Sequence, residues 1–334
     1  MTLGTGSTTA NMAQLIRSNV WSNQLKEVLT DDMRMAEKYV KWIDGEFADG
    51  DTFNIPSIGQ LSIFDVAEDS PIQSQSLDTG NFTFSVTEYK GAMTYITEKA
   101  RQDLHYAAQL EAKFVPEQAR ALSQEVESFV LKQGQPGTSN GQTVADLNSY
   151  NGAAHRWVCM DTRNSQRCLS PEDFSRARYS LKKANVPMTN LISIVDPVQA
   201  AIVETHPNFI NFSEGVVSDM AQSGMSSGFR WVKRIFGFDV YESNYLPLCG
   251  SGQTGVSETI DSVASGTNAV ANLFFSGAMN CPPWIGAWRQ RPKVDTKYEP
   301  SLQREEYYTT ARYGAKLYYP ENFVSVLTGT GSIW

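Results

Sequence analysis

The spacing of apolar side chains divides the chain into segments of different period. From Asn23 to Phe47 the positions Leu25, Val28, Leu29, Ala36, Tyr39, Val40, Ile43 and Phe47 recur every three or four residues, and Gly45 and Asp49-Gly50 end the run. That spacing predicts an amphipathic helix whose single apolar stripe has no cover in its own segment. Between Thr52 and Thr97 the period changes to two. Phe53 and Ile55, and later Phe82, Phe84 and Val86, alternate with polar neighbours, which predicts a long hairpin with one covered face. Its connection, Asp65 to Thr79, holds Asp65, Glu68, Asp69 and Asp78 and no Lys or Arg. An isolated two-stranded ribbon is marginal in water, so this hairpin needs a surface to lie on.

The helical period returns from Glu98 to Gln133, with Leu104, Ala108, Val115, Ala119, Leu122, Val126, Phe129 and Val130 on one face. A helix of that length would run about 50 Å. Pro116 sits in its middle and lacks a backbone donor, so a kink or two helices end to end are expected there. The glycine-rich stretch Gly134 to Gly141 breaks the pattern, and no period is evident as far as Arg167. Ser170-Pro171 then opens a helix through Phe174, Ala177, Leu181 and Ala184. A buried strand, Leu191 to Val195, and a short helix, Pro197 to Glu204, follow. Phe229 to Tyr245 reads as a turn-linked strand pair, Leu248 to Thr267 as a loop, and Ala269 to Phe275 as a strand. Strand-type residues from Trp284 to Leu327 predict a long ribbon.

Length and charge narrow the function classes. At 334 residues the chain can bury a sizeable core in about two domains. Its net charge of -8 argues against a reader of nucleic-acid sequence, which neutralises phosphates with clustered Lys and Arg. No window approaches the roughly 20 apolar residues that cross a bilayer, and Met1 to Ala13 lacks the basic-then-apolar order of an export signal, so no membrane partner is expected. The four cysteines show no CxxC spacing; Cys159 and Cys168 are expected as packed thiols, with a bridge between them the lesser alternative.

Candidate chemistry is sparse. Gly250-Ser251-Gly252-Gln253-Thr254-Gly255 fits G-x-G-x-x-G, but Pro247 precedes it and a poor helix follows, whereas pyrophosphate binding needs a strand before and a helix after. Ser180-Leu181-Lys182-Lys183 fits S-x-x-K without the companion motifs of a serine-lysine enzyme. His105, His155 and His206 have no partners at metal-ligand spacing. No catalytic residue, metal ligand or cofactor site is therefore expected. A long helix, a long hairpin and an amphipathic arm, all with surface that one copy cannot cover, point to self-assembly.

The order of these elements resembles the major capsid proteins of tailed bacteriophages with the HK97 fold. The residues that carry the resemblance are Asp51 to Pro56, Thr87 to Thr97, the helix from Glu98, Phe236 to Pro247, and Arg312-Tyr313-Gly314-Ala315-Lys316-Leu317-Tyr318. The resemblance implies an α+β capsid fold with an N-terminal arm at Met1–Gly50 and an extended hairpin, the E-loop, at Asp51–Thr97. It implies a spine helix of the P-domain at Glu98–Gln133, an A-domain at Gly134–Pro283, and a P-domain ribbon with the C-terminus at Trp284–Trp334. The implied function is a structural, non-enzymatic subunit of an icosahedral head that encloses double-stranded DNA without reading its sequence. Implied partners are identical subunits in pentamers and hexamers, a scaffolding protein, a portal and a decoration protein. The implied location is the virion, after assembly in the host cytoplasm. An encapsulin-like compartment and an unrelated soluble enzyme are the alternatives.

The founding member of that family cross-links its subunits through an E-loop Lys, and between Asp51 and Val86 this chain has none, so covalent cross-linking is not expected. The short segment ahead of the hairpin makes a separate scaffolding protein the expected arrangement. Two further expectations concern particular residues. The acidic hairpin tip, Glu68 and Asp69, should face the basic stretch with Arg289, Arg291 and Lys293 on an adjacent subunit. Pro116 should localise bending of the long helix.

Overall fold

The computed structural model describes residues 38–43, 52–59, 63–66, 68, 76, 79–103, 107–133, 149–163, 166–205, 231–246, 248–249 and 269–329. The first strand, β1 (Val40–Trp42), lies where a helix is expected from the periodicity. It pairs in parallel with the start of a later strand, Val40 opposite Trp284 and Trp42 opposite Gly286. The expected helix over Asn23–Phe47 therefore fails at these three residues; the rest of that stretch lies largely outside the described residues. The cause is tertiary. Val40 is buried, and the Trp42 ring stacks on Trp288 at 5.1 Å. Gly286 makes room, since a Cβ there would come within 2.8 Å of the Trp42 ring. A β-branched and an aromatic residue gain more from this slot than from a local helical turn.

Strands β2 (Thr52–Ile58) and β3 (Thr79–Ser85) form the expected hairpin, with Phe53 opposite Phe84 and Ile55 opposite Phe82. It is shorter than expected. After Val86 and Thr87 the chain enters β4 (Glu88–Thr97), which leaves the hairpin and joins another sheet. Helices α1 (Glu98–Asp103) and α2 (Ala107–Lys132) follow, and the Thr97 hydroxyl accepts the Ala100 amide at the first turn. At 26 residues α2 is about 39 Å long and runs through Pro116.

The stretch without a clear period holds short strands. β5 (Ser149–Tyr150) and β6 (Ala153–Ala154) are joined by Asn151-Gly152, both at positive φ, the two-residue turn that suits a twisted hairpin. β7 (Arg156–Val158), β8 (Thr162–Arg163) and β9 (Gln166–Arg167) lead to α3 (Pro171–Lys183). The Asp173 carboxylate accepts the Ser170 amide and hydroxyl at its start and the Trp157 indole N–H at 2.8 Å. Strand β10 (Leu191–Val195) and helix α4 (Pro197–Thr205) complete the expected helix-strand-helix unit. β11 (Trp231–Ile235) and β12 (Phe238–Glu242) form the expected strand pair around a positive-φ turn, Phe236-Gly237. β13 (Leu248–Cys249) and β14 (Ala269–Ser276) precede the ribbon, β15 (Trp284–Glu299) and β16 (Arg304–Leu317). A 3-10 turn at Pro320–Asn322 and strand β17 (Val324–Gly329) end the described chain.

Among the described residues the strands form two main sheets. The smaller has the order β1-β15-β16-β4; the larger runs β11-β12-β10-β14-β17-β7, with β13 beside β14. Val324 to Val326 thus do not continue the ribbon. β17 is buried along its length and pairs with β14 and β7, as an apolar run suits a strand with both faces covered. On one face of the larger sheet Ile192, Ile194, Leu273 and Phe275 meet Val130 and Leu131 from the end of α2 and Trp284. On the other, Leu191, Val195 and Phe274 meet Phe174, Ala177 and Leu181 of α3 and Ala200 and Val203 of α4. Asn322 ties the C-terminal turn down: its amide nitrogen donates to the Ser276 and Cys281 carbonyls and its carbonyl accepts the Ser276 amide.

His155 is fully buried just ahead of β7, at the β17–β7 edge of this larger sheet. Its Nδ1 lies 3.1 Å from the Ala153 carbonyl and its Nε2 3.1 Å from the Glu321 carbonyl, with the Tyr150 ring edge-on at 4.8 Å. Burial pushes its pKa below the ordinary 6.5; the two carbonyls and the Glu321 charge pull the other way and lose. A folded-state pKa below the unfolded value means that the neutral ring adds stability above about 6.5, and that this is lost as pH falls through the lowered pKa. Thermal unfolding between neutral pH and pH 5 should show the wild type losing stability more steeply than His155→Gln, which has no group titrating there.

Candidate functional site

The polar residues that suggested chemistry are tied up in structure. The Ser180 hydroxyl donates to the Ala154 carbonyl at 2.7 Å and is buried, while Lys183 is exposed, so the S-x-x-K string does not make a nucleophile pair. Cys159 and Cys168 are buried thiols without a disulfide, and burial pushes both pKa values up, as it does for Cys281; a raised thiol pKa suppresses the reactive thiolate. No group of three metal-ligating side chains comes together among the described residues, and no described helix is long and apolar enough to cross a membrane. His105, His206 and Gly250 to Gly255 lie outside the described residues.

What the structure offers instead is a surface. Helix α2 packs on one face of the smaller sheet. Phe114 meets the Tyr307 ring edge-on, Leu122 and Val126 pack with Ala311 and Tyr313, and Phe129 meets Tyr313. In the middle of this contact sits Gln118, which apolar periodicity passes over. Its amide nitrogen donates to the Thr94 hydroxyl at 2.9 Å and the Tyr307 carbonyl at 3.1 Å, and its carbonyl accepts from the Thr309 hydroxyl at 2.7 Å. One buried side chain thereby joins the helix to both β4 and β16. Ala119, expected on the inner face, is exposed.

Among the described residues, the opposite face of the same sheet is covered at one end only. There Phe84 and Val86 from the root of the hairpin bury against Ile285 and Ala287. Beyond that root, alternate residues of β4 point away from α2, and Tyr89, Met93 and Tyr95 are 66%, 45% and 52% exposed. Across the strand pair they stand opposite Arg312, Tyr308 and Glu306. The Arg304 guanidinium lies 4.6 Å from the Tyr95 ring and its Nε is 2.5 Å from Glu306, whose other oxygen accepts the Tyr308 hydroxyl. Buried charge is thus neutralised locally, and the aromatic row beside it stays open. The connection of the hairpin is apolar and exposed as well, at Ile63, Phe64 and Val66.

The residues singled out by charge are distributed on two separate elements. Glu68 is exposed in the hairpin connection, and Asp69 lies outside the described residues. Arg289, Arg291 and Lys293 lie on β15 beyond the reach of β1, where register shifts surround Pro292; a proline suits such an irregular stretch because it cannot donate to a ladder. Lys293 pairs with Asp295 of its own strand at 2.9 Å, which charge patterning does not foresee. Pro116 is on the exposed side of α2.

No protein-family profile matches the chain, and no curated protein matches it. Solved structures do. The capsid of cyanophage Pam1 superposes with a TM-score of 0.67 over 97% of this chain and 98% of that one, at 14% identity. The fold is that of a phage capsid protein. The capsid of Ralstonia phage GP4 gives a TM-score of 0.66 at 12% identity, covering 98% and 99% of the two chains. The capsid of a native GTA particle gives 0.65 at 11% identity, covering 97% and 99%. This is the α+β architecture that the sequence resemblance implied, and it extends over nearly the whole of each chain.

Within this capsid fold the two sides of the smaller sheet should respond differently to substitution. Gln118→Ala leaves buried partners unsatisfied and should lower unfolding stability by about 1–3 kcal/mol. Tyr89→Ser with Met93→Ser, on the open side, should stay within about 0.5 kcal/mol each. Denaturant melts of the unassembled protein measure both.

Proposed function

We propose that the chain is the major shell-forming subunit of a tailed-phage head, a structural protein without catalysis. The carrying observation is the likeness to capsid structures over nearly the whole of both chains, together with a sheet face and a hairpin connection that are exposed among the described residues. In this reading β2 and β3 with their connection are the E-loop, within Asp51–Thr97. Helices α1 and α2 form the spine within Glu98–Gln133, and the arm is Met1–Gly50, anchored by β1. The A-domain is Gly134–Pro283 with β17 inserted into its sheet, and the ribbon of the P-domain begins at Trp284.

The hairpin of one copy then lies on the open face of the next, against Tyr89, Met93 and Tyr95. Apolar burial gives about 25 cal/mol per Å², and specific interfaces exceed roughly 1,000 Å², enough to outweigh the ordering of an extended segment. Copies close into pentamers and hexamers in the virion, with assembly in the host cytoplasm. The expected partners are a scaffolding protein, a portal, a decoration protein and packaged double-stranded DNA held without sequence readout. An acidic chain suits that role, because it limits adhesion of phosphate to the wall.

The test is direct. Purified protein, alone or co-expressed with its scaffolding protein, should form closed shells of uniform diameter in negative stain. A monomer under every such condition overturns the reading, and shells that enclose protein cargo instead of DNA favour an encapsulin-like compartment.

Two finer proposals concern named residues. Glu68 and Asp69 of one subunit face Arg289, Arg291 and Lys293 of its neighbour and set register more than strength, since exposed pairs contribute about 0–1 kcal/mol each. Arg289→Glu with Arg291→Glu should slow assembly and flatten its salt dependence in light scattering, and adding Glu68→Lys with Asp69→Lys should restore part of the rate. Pro116 acts as the bending point of the spine helix: without a proton on its nitrogen, the Ala112 carbonyl has no donor from that position. Reconstructions of immature and mature shells should place the difference in helix curvature within one turn of Pro116, and Pro116→Ala should reduce it.

A further inference from the structure

We propose that Gly314, Lys316 and Tyr318 form a seat that fixes the angle at which the hairpin leaves the body, and so act as the positioning element for assembly; the second half of this rests on the shell reading above. The three residues alternate from the end of β16 on the face away from α2. Each holds a different part of the hairpin root. At Gly314 the chain passes so close that a Cβ would lie 2.8 Å from the Ser85 carbonyl oxygen and 2.9 Å from the Val86 Cα, both backbone atoms of the hairpin exit. Lys316 donates from Nζ to the Thr83 carbonyl at 2.9 Å, and the same ammonium lies 5.1 Å from the Phe82 ring. Phe82 meets the Tyr318 ring edge-on at 5.2 Å.

Position and function follow from this geometry. Val86 and Thr87 are the only residues between β3 and β4, so a rotation there swings the whole hairpin. Phe84 and Val86 bury the root, yet apolar contact is non-directional and permits sliding. The Lys316 bond to a backbone carbonyl and the close approach at Gly314 are directional, and they select one angle. Beyond Phe82 on the return strand Asn81 and Gly80 are exposed. A blade several residues long turns a small change at the root into a large displacement at Ile63 to Val66, where a neighbouring copy must be met. The seat also gives a physical reason for the motif Arg312 to Tyr318, which the sequence resemblance carried without one.

Amide hydrogen exchange on the unassembled full-length protein tests the seat, and electron microscopy of assembled particles tests its consequence. Gly314→Ala forces the exit strand off the sheet and should speed exchange of β3 amides about tenfold, with β10 and α3 unchanged. Lys316→Met should act in the same direction by a few fold, and Lys316→Arg, which keeps a donor and a cation, should stay near wild type. Unchanged β3 exchange in both variants, or an equal rise in β10 and α3, would falsify the seat. Particles from the released variants should be heterogeneous in diameter or fail to close. If wild type forms shells and variants with fast β3 exchange form shells of the same diameter, the positioning role falls while the seat stands. If wild type never forms shells, the shell reading falls and the exchange data still decide the seat.

Discussion

Strand β16 is the constraint on which the rest of the structure depends. It is hydrogen-bonded on both edges, by β15 along its length and by β4 from Arg304 to Tyr313. One of its faces receives α2 through Gln118, Tyr307, Thr309 and Tyr313. The other receives the hairpin root at its end. Helix, hairpin and ribbon are therefore positioned relative to one another through a single strand, and the β1 segment joins them one strand away, on β15. α2 packs on one face around Tyr307 to Tyr313 and the root covers only the end of the other, so an open strip remains on that second face among the described residues. Among the described residues, Tyr89, Met93 and Tyr95 on that strip stay exposed.

The two sheets are coupled through the residues at the start of β15. Trp284 is fully buried and meets both Phe275 of β14 and Phe323 before β17, while two residues on Gly286 admits Trp42. Tyr39 to Trp42 thus make their contacts at the junction of the sheets. Tyr39 lies edge-on to Phe275, and Gly277 gives it space.

Legibility in the sequence follows from which force decides each element. Where burial of one face decides, period is sufficient: Phe53, Ile55, Phe82 and Phe84 alternate and pair as expected, and Leu122, Val126 and Val130 hold the long helix to the core. Where a distant partner decides, period misleads. Val40 and Tyr39 fit a helical stripe, yet Val40–Trp42 is a strand because β15 offers an edge and Gly286 a slot. Gln118 is polar and so invisible to an apolar template, although its three hydrogen bonds join three elements. The placement of β17 could not be read either, since a continuous apolar run says that both faces are covered without saying by which sheet. The open strip was anticipated only as a general need for cover; the row Tyr89, Met93 and Tyr95 becomes a row only after β4 is known to leave the hairpin.

A likeness over whole chains at 11–14% identity asks why an architecture persists when residues do not. Most positions in this chain carry requirements of type rather than identity: apolar at every second residue of β3, apolar at every third or fourth of α2, buried throughout β17. Such requirements accept many sequences, because cores tolerate substitution when volume and pattern are kept. A few positions are different. At Gly277, Gly286 and Gly314 any Cβ would come within 3.0 Å of a neighbouring atom, and only at Gly314 are those nearest atoms backbone. A side chain can turn aside at the first two; a strand cannot without moving everything attached to it. Among these three close approaches the one that backbone enforces therefore falls where the hairpin meets the body.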